Sequence, residues 1–162
     1  MGKDLTGLLV TIPIIKTVGS TTKVVTDVIC DSRKASDGAL FVAVNGVNVD
    51  AHRFIPDVIA KGATVIVCEV LPEHIDENVC YIVVRDSSIA LAHIAAWWYN
   101  YPSTRLKLVG VTGTNGKTTT AFVVKDILKA MGIESGLIGT VKNMVGERDF
   151  HTELTTPDPY DM

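Results

Sequence analysis

The run GVTGTNGKTTT, which starts at Gly110 directly after the apolar stretch Leu106–Val109, constrains this chain more than any other feature. It has the order of a strand that breaks into a glycine-rich loop, followed by a Lys-Thr pair that opens a helix. That order suits the phosphates of a nucleoside triphosphate. Gly113 and Gly116 carry no Cβ, so the backbone can curl and turn successive N–H groups inward as an anion nest. Lys117 can reach terminal phosphates as a compact charge, and the Thr118 hydroxyl can ligate Mg²⁺. The helix that follows adds the partial positive charge of its N-terminus. The general pattern GxxxxGK(S/T) puts its first glycine where Val111 stands, and Gly110 comes one residue too early. The alternative is a glycine turn with an incidental lysine, and the strand–loop–helix context decides for phosphate binding.

At 162 residues the chain accommodates one large domain, or one complete domain with part of another. With 47% hydrophobic and 20% charged residues it can bury a core and is not of disordered composition. A net charge of −3 gives no electrostatic reason to expect nucleic acid or an acidic membrane surface as partner. The apolar run Leu8–Ile15 is short and broken by Thr11 and Pro13, so it is no membrane span. No basic start leads into an apolar stretch and cleavage site, which speaks against secretion. Residues 1–6 fit the loose N-myristoylation pattern, which arises so often by chance that it is set aside. Cys30, Cys68 and Cys80 are odd in number and widely spaced, unlike a zinc site or a disulfide scaffold. They read as small buried hydrophobes in a reducing compartment, the cytoplasm. His52, His74, His93 and His151 have no metal-ligand spacing; only His52 has a motif around it, and a structural or pocket-rim role is expected there.

Residues 24–33 and 39–45 have the pattern of strands joined at an Asp37-Gly38 turn. Arg53–Lys61 reads as a short helix burying Ile55, Val58 and Ile59, with Gly62 as its stop. Strands follow at Thr64–Glu69 and Cys80–Arg85. Asp86 or Ser87 then caps a helix to about Asn100, with Leu91, Ile94, Ala95 and Trp98 on one stripe. That spacing makes Trp98 a core residue, Trp97 a boundary residue and His93 a solvated or half-buried one. Pro102–Thr104 is the expected boundary, so an α/β domain over residues 1–102 precedes a second unit over 103–162. The second unit reads as strand Lys107–Val111, the loop, helix Thr118–Met131 and strand Ser135–Thr140, then a hairpin at Val145-Gly146. Its helix is expected to bury Val124, Ile127, Leu128 and Met131, with Gly132 as cap. One βαβ unit has too few strands for a stable phosphate-loop sheet, so the chain is expected to be a piece of a longer protein.

Separated motifs share one order. Asp31-Ser32-Arg33 precedes GALFVAV at Gly38–Val44 and then Gly46; Asp50-Ala51-His52-Arg53-Phe54 is close to DGHxF; TGTNGKTTT follows; Thr155-Thr156-Pro157 closes the series. From about Val24 to its end the chain resembles the Mur ligases, the ATP-dependent amide-forming enzymes of peptidoglycan synthesis, and among them the tripeptide-forming type. In that family the TGTNGKTTT spelling is usual, which accounts for the displaced first glycine.

The resemblance implies an N-terminal α/β domain that binds the UDP-sugar peptide, UDP-MurNAc-L-Ala-D-Glu, followed by the first βαβ unit of an ATP-binding phosphate-loop domain. ATP would activate the peptide's carboxylate as an acyl phosphate, which the amine of diaminopimelate or lysine attacks. Gly113, Thr114, Asn115, Gly116, Lys117, Thr118 and Thr119 would hold ATP, with Lys117 as the catalytic cation and Thr118 on Mg²⁺. Cys30, Ser32, Gly46, Val47, Asn48, Val49, Thr155 and Thr156 would contact the UDP-sugar peptide. The alternatives left open are the ligase type that adds the terminal dipeptide, another phosphate-loop ligase or transferase, and a nucleotide-binding or dimerising module without catalysis. This length of chain alone is expected to lack ligase activity.

Overall fold

The computed structural model describes residues 2–46 and 49–151. Two compact units are present, Met1–Arg105 and Leu106–Met162.

In the first unit β1 (Lys3–Asp4) leads into the single-turn helix α1 (Thr6–Leu9) and β2 (Ile14–Val18). Next come β3 (Val24–Val25), β4 (Val28–Ile29) and β5 (Leu40–Val42), then α2 (Ile55–Ala60), β6 (Val65–Cys68), β7 (Cys80–Val84) and α3 (Ser87–Trp98). The main sheet runs β2-β7-β6-β5-β4. Strands β4 to β7 are parallel, and β2 joins β7 antiparallel at the edge. A strand covered on both faces is apolar at every position, and all of Val65, Ile66, Val67 and Cys68 are buried. Ile29, Phe41, Ala43, Ile66, Cys68 and Tyr81 pack with Ile55 and Val58 of α2. The alternate residues Val28, Leu40, Val42, Val65, Val67 and Ile82 are equally buried and face the other way, and α3 lies against β4 and β6.

The strand expected over 24–33 is divided. β3 pairs antiparallel with β1 and β4 parallel with β5, so the chain changes partner at Thr26-Asp27. Thr26 marks the change: its N–H donates to Gly38 O at 3.0 Å and its hydroxyl to Asp37 O at 2.7 Å. The segment then ends in a 3-10 turn, Ser32–Lys34. Strands β4 and β5 are consequently not a hairpin, although Gly38 does take the left-handed φ of +72° that its turn requires.

Helix α3 begins as expected, with Asp86 Oδ1 accepting from Ile89 N–H at 2.9 Å. Its buried stripe includes Leu91, Ile94 and Ala95 but continues to Trp97 rather than Trp98, which is half-buried. The N-terminal segment explains the exchange. Lys3 Nζ donates to Trp97 O at 2.9 Å and stands 5.3 and 5.9 Å from the Trp97 and Trp98 ring centres, and Gly7 of α1 packs so near the Trp97 indole that an added Cβ would stand 3.2 Å from its Nε1. His93 is exposed, as the stripe implies. Cys68 and Cys80 are buried, Cys30 is half-buried, and none of the three is bridged.

The second unit consists of α4 (Lys117–Ala130), β8 (Gly136–Leu137), β9 (Asn143–Val145) and β10 (Arg148–Phe150), the strands forming an antiparallel sheet in the order β10-β9-β8. The hairpin turns at Gly146, with φ +58°, and Gly132 ends α4 with φ +73°. The strand expected at Lys107–Val111 does not form. Leu106, Leu108 and Val109 are well exposed, and no described strand offers them ladder partners. Helix α4 also turns a different face inward. Val124 and Leu128 are half-buried as expected, but Ile127 and Met131 are exposed, and the covered positions are Ala121, Phe122, Val124, Lys125 and Leu128. Apart from Phe122 that is again an i, i+3, i+4, i+7 stripe, and the helix packs against β8. The expected strand 135–140 is shortened to β8.

Candidate functional site

The glycine loop of the second unit has the conformation that its sequence calls for. Gly113 and Gly116 take φ of +148° and +78°, conformations that L side chains adopt only under strain. Gly116 is the N-cap of α4 and no side chain caps the helix. The first intrahelical bond runs from Thr120 N–H to Gly116 O at 2.8 Å. The N–H groups of Lys117, Thr118 and Thr119 precede it and have no carbonyl of the helix to meet. Thr114 and Asn115 complete the exposed turn. The Lys117 ammonium folds back over the loop, donating to Gly113 O at 2.7 Å and Thr114 O at 3.2 Å. Free N–H groups, a helix of 14 residues and a tethered ammonium together give this exposed turn a positive character. Thr118 also borders a small hollow of about 20 Å³ beside Phe122, Leu137 and Lys142.

In the first unit the predicted contacts gather at the carboxyl ends of neighbouring parallel strands, where ligands of open α/β sheets lie. Cys30 follows β4, and Ser32 opens the 3-10 turn. Asp31 fixes that turn: its Oδ1 accepts from Arg33 N–H at 2.9 Å, and both carboxylate oxygens receive the Arg33 guanidinium at 2.7–3.0 Å. The Arg33 side chain, and then its N–H, hold the Asp31 carboxyl down to about 2. Ser32 O accepts from Lys61 Nζ at 2.9 Å, while its hydroxyl has no hydrogen-bond partner among the described residues. The next strand, β5, leads to Gly46 and Val49. Gly46 N–H is shared between Val44 O and Val49 O, each at 3.1 Å, and Asn45 bridges Asp50. Val47, Asn48, Thr155 and Thr156 lie outside the described residues.

One group of residues lay outside the predicted site, although His52 was expected in a structural or pocket-rim role. Asp50 caps a 3-10 turn, its Oδ1 accepting from His52 N–H at 2.9 Å and meeting His52 Nδ1 at 2.6 Å. His52 Nε2 receives the Glu69 N–H at 2.8 Å, so that nitrogen is unprotonated and Nδ1 carries the hydrogen toward Asp50. The N–H and then the ring of His52 lower the Asp50 carboxyl below its usual range. Glu69 Oε1 accepts from both the N–H and the hydroxyl of the fully buried Ser87, at 2.8 and 2.7 Å. Asp50, His52 and Glu69 wall a cavity of about 290 Å³ together with Asn45, Ile55 and Leu71. The Asp-x-His spacing was the available signal, because an aspartate two residues ahead of a polar residue favours a side-chain-to-backbone turn.

Both units match models of one family. Residues 24–99 match the Mur ligase family catalytic domain, and residues 111–162 match the Mur ligase middle domain. A Cytophaga hutchinsonii protein named UDP-N-acetylmuramoyl-L-alanyl-D-glutamate--2,6-diaminopimelate ligase is 46% identical over 152 residues, covering 93% of this chain and 31% of that protein. The Chlorobaculum tepidum protein of the same name is 47% identical over 136 residues, covering 84% of this chain and 27% of its own length. The chain therefore spans less than a third of the length of these curated relatives. A solved structure of a ligase of that name superimposes with a TM-score of 0.71 at 21% identity, covering 99% of this chain and 32% of the other. MurF from Acinetobacter baumannii superimposes with a TM-score of 0.59 at 26% identity, covering 81% of this chain and 28% of its own. With a mixed α/β sheet ahead of a glycine loop that opens a helix, and both halves matched in that order, the chain belongs to the Mur ligase family.

Proposed function

We propose that this chain is the sugar-nucleotide-binding and phosphate-loop portion of an ATP-dependent ligase that adds diaminopimelate to UDP-N-acetylmuramoyl-L-Ala-D-Glu. The observation that carries the reading is the continuity of the likeness. It runs through 93% of the chain, across both units, to proteins of a single printed activity. The dipeptide-adding alternative draws on a 26% identical structure, well below the 46–47% of the diaminopimelate ligases.

The residues of the loop fit a triphosphate and its metal. Gly116 has open space where a Cβ would stand, so phosphate oxygens can approach the backbone at the helix start. Lys117 exchanges the carbonyls of Gly113 and Thr114 for phosphate oxygens and balances the charge of the transferred phosphoryl group. Thr118 offers its hydroxyl to Mg²⁺, which when bound would neutralise charge between the phosphates. Gly113, Thr114, Asn115 and Thr119 complete the cradle. In the overall reaction the γ-phosphoryl group passes to the substrate carboxylate and ADP leaves. The diaminopimelate amine then attacks the acyl carbon and inorganic phosphate departs, leaving an amide.

On the first unit, Cys30, Ser32, Gly46, Val47, Asn48 and Val49 are assigned to the UDP-sugar portion of the substrate, and Thr155 and Thr156 to its sugar–peptide portion. Ser32 donates its uncommitted hydroxyl, and the Gly46–Val49 loop lies over the uridine end. Isothermal titration of the chain with UDP-N-acetylmuramoyl-L-Ala-D-Glu tests this assignment. The expected result is saturable binding that Ser32→Ala weakens about tenfold, the worth of one hydrogen bond to a charged group. Absence of binding to the wild-type chain overturns it.

A further inference from the structure

The turn that carries Ser32 is held from two directions. Asp31 holds it locally, through the N–H and the guanidinium of Arg33. The second hold comes from 29 positions away, where Lys61 Nζ donates to Ser32 O at 2.9 Å. That lysine stands on a fixed base at the end of α2. Its own N–H donates to Asp57 O, the next N–H, of Gly62, donates to Ile59 O, and Gly62 O accepts the Gly38 N–H at 2.9 Å. A lysine ammonium has three donors, and Lys61 spends one of them on Ser32 O. No carboxylate among the described residues pairs with it. Arg33 differs, because its guanidinium covers both oxygens of Asp31. An uncompensated positive charge is thus tethered to the residue whose hydroxyl is uncommitted.

We infer that Lys61 is a further binding residue for the sugar nucleotide: its ammonium, held at Ser32 O, pairs with a phosphate of the UDP diphosphate. This rests on the assignment of Ser32 to the UDP-sugar portion under Proposed function. Donors that carry an uncompensated charge select an anion, and the diphosphate is the anionic part of that portion. The tether matters because a lysine side chain is otherwise mobile, and ordering it on binding weakens the complex. With Nζ already placed by Ser32 O, less freedom remains to be lost.

The test titrates UDP, which has the diphosphate and none of the peptide carboxylates, into the 162-residue chain and two variants. Titrations run at about 0.1 M and about 1 M salt, between which the screening length falls from about 10 Å to about 3 Å. Lys61→Met keeps the stem without the charge, and its Kd at the lower salt is expected to rise about fivefold, a modest loss because the site is exposed. Lys61→Arg keeps the charge and is expected to stay within about twofold of the wild type. Both variants are expected to unfold cooperatively near the wild-type midpoint, since the contact they alter is exposed. The wild type is expected to lose affinity with salt more steeply than Lys61→Met. Wild-type affinity in Lys61→Met, an arginine variant as weak as the methionine variant, or equal salt dependence overturns the phosphate contact and leaves the Ser32 assignment standing. No UDP binding by the wild-type chain overturns the Ser32 assignment itself, and the role of Lys61 with it.

Discussion

The Lys117 ammonium lies 2.7 Å from the carbonyl oxygen of Gly113, four residues back along the loop whose helix it opens. The contact is exposed and closes the loop on itself, so Lys117 adds little to the fold. Lys117→Ala is expected to leave the thermal midpoint of the chain within about 1 °C, since surface substitutions change little. In a longer ligase carrying this loop, as proposed above, the same change is expected to remove ligation while the UDP substrate still binds. Calorimetry on the chain and a phosphate-release assay on such a ligase check the two halves.

Two left-handed glycines separate conformational strain from collision. Gly116 has φ of +78° with open space around a built Cβ, so Gly116→Ala costs only the backbone term, about 1–2 kcal/mol. Gly62 has φ of +99°, and a Cβ there would stand 2.9 Å from the Asp37 Cα. Gly62 O also accepts the Gly38 N–H, so the two turns cannot move apart freely. Gly62→Ala is expected to cost about 3 kcal/mol. Urea unfolding of both variants gives the comparison, and equal losses would contradict it.

Asp31 predicts an acid limb in stability. Its carboxyl sits near 2 in the fold because of Arg33, while an unfolded aspartate titrates near ~3.9. The folded value is the lower one, so the contribution is fully present above about pH 4 and is lost as the pH falls toward 2. Asp31→Asn keeps an oxygen for the Arg33 N–H but does not titrate. Denaturant midpoints measured from pH 5 down to 2 are expected to fall less steeply in that variant.

Lys125 is the most enclosed cation described, 7% exposed on α4, with its Nζ 3.7 Å from Glu147 Oε1 at the hairpin turn. Lys129 reaches the same carboxylate at 3.1 Å and is the main cause of its lowered pKa. A paired charge that is this enclosed gains little over an apolar side chain, whereas removing only its partner exposes the cost of burying it. Lys125→Met is expected to be neutral or to stabilise by up to about 1 kcal/mol. Glu147→Gln is expected to destabilise, and to do so less when Lys125 is already methionine. A double-mutant cycle from unfolding curves measures the coupling.

Local signals were the ones the sequence carried well. The Asp86 cap, the Gly62 and Gly132 stops, the Gly146 hairpin and the helix start at Lys117 each depend on residues within a few positions of one another. Signals that require a distant partner were not legible. An apolar run at Lys107–Val111 looks the same whether or not a neighbouring strand is there to pair with it. Trp97 and Trp98 differ by one position on α3, and only the Lys3 segment, far away in sequence, decides which is covered. The site divides the same way: the glycine loop could be read from its own residues. The Asp50–His52–Glu69–Ser87 network could not, because its members come from a loop, a 3-10 turn, a strand end and a helix start.

The antiparallel edge strand β2 has a consequence for how the chain is made. Its residues pair with β7 as Ile14 with Val84 and Val18 with Tyr81, across 63 to 70 positions. No nearer strand in the main sheet completes β2, so during synthesis the first strand of that sheet leaves the ribosome without its partner. At about 5–20 residues per second it waits roughly 3–14 s for β7 to be made. Closing so long a span before any contact rewards it slows folding, and the sheet's earliest residues find their ladder only once its last strand exists.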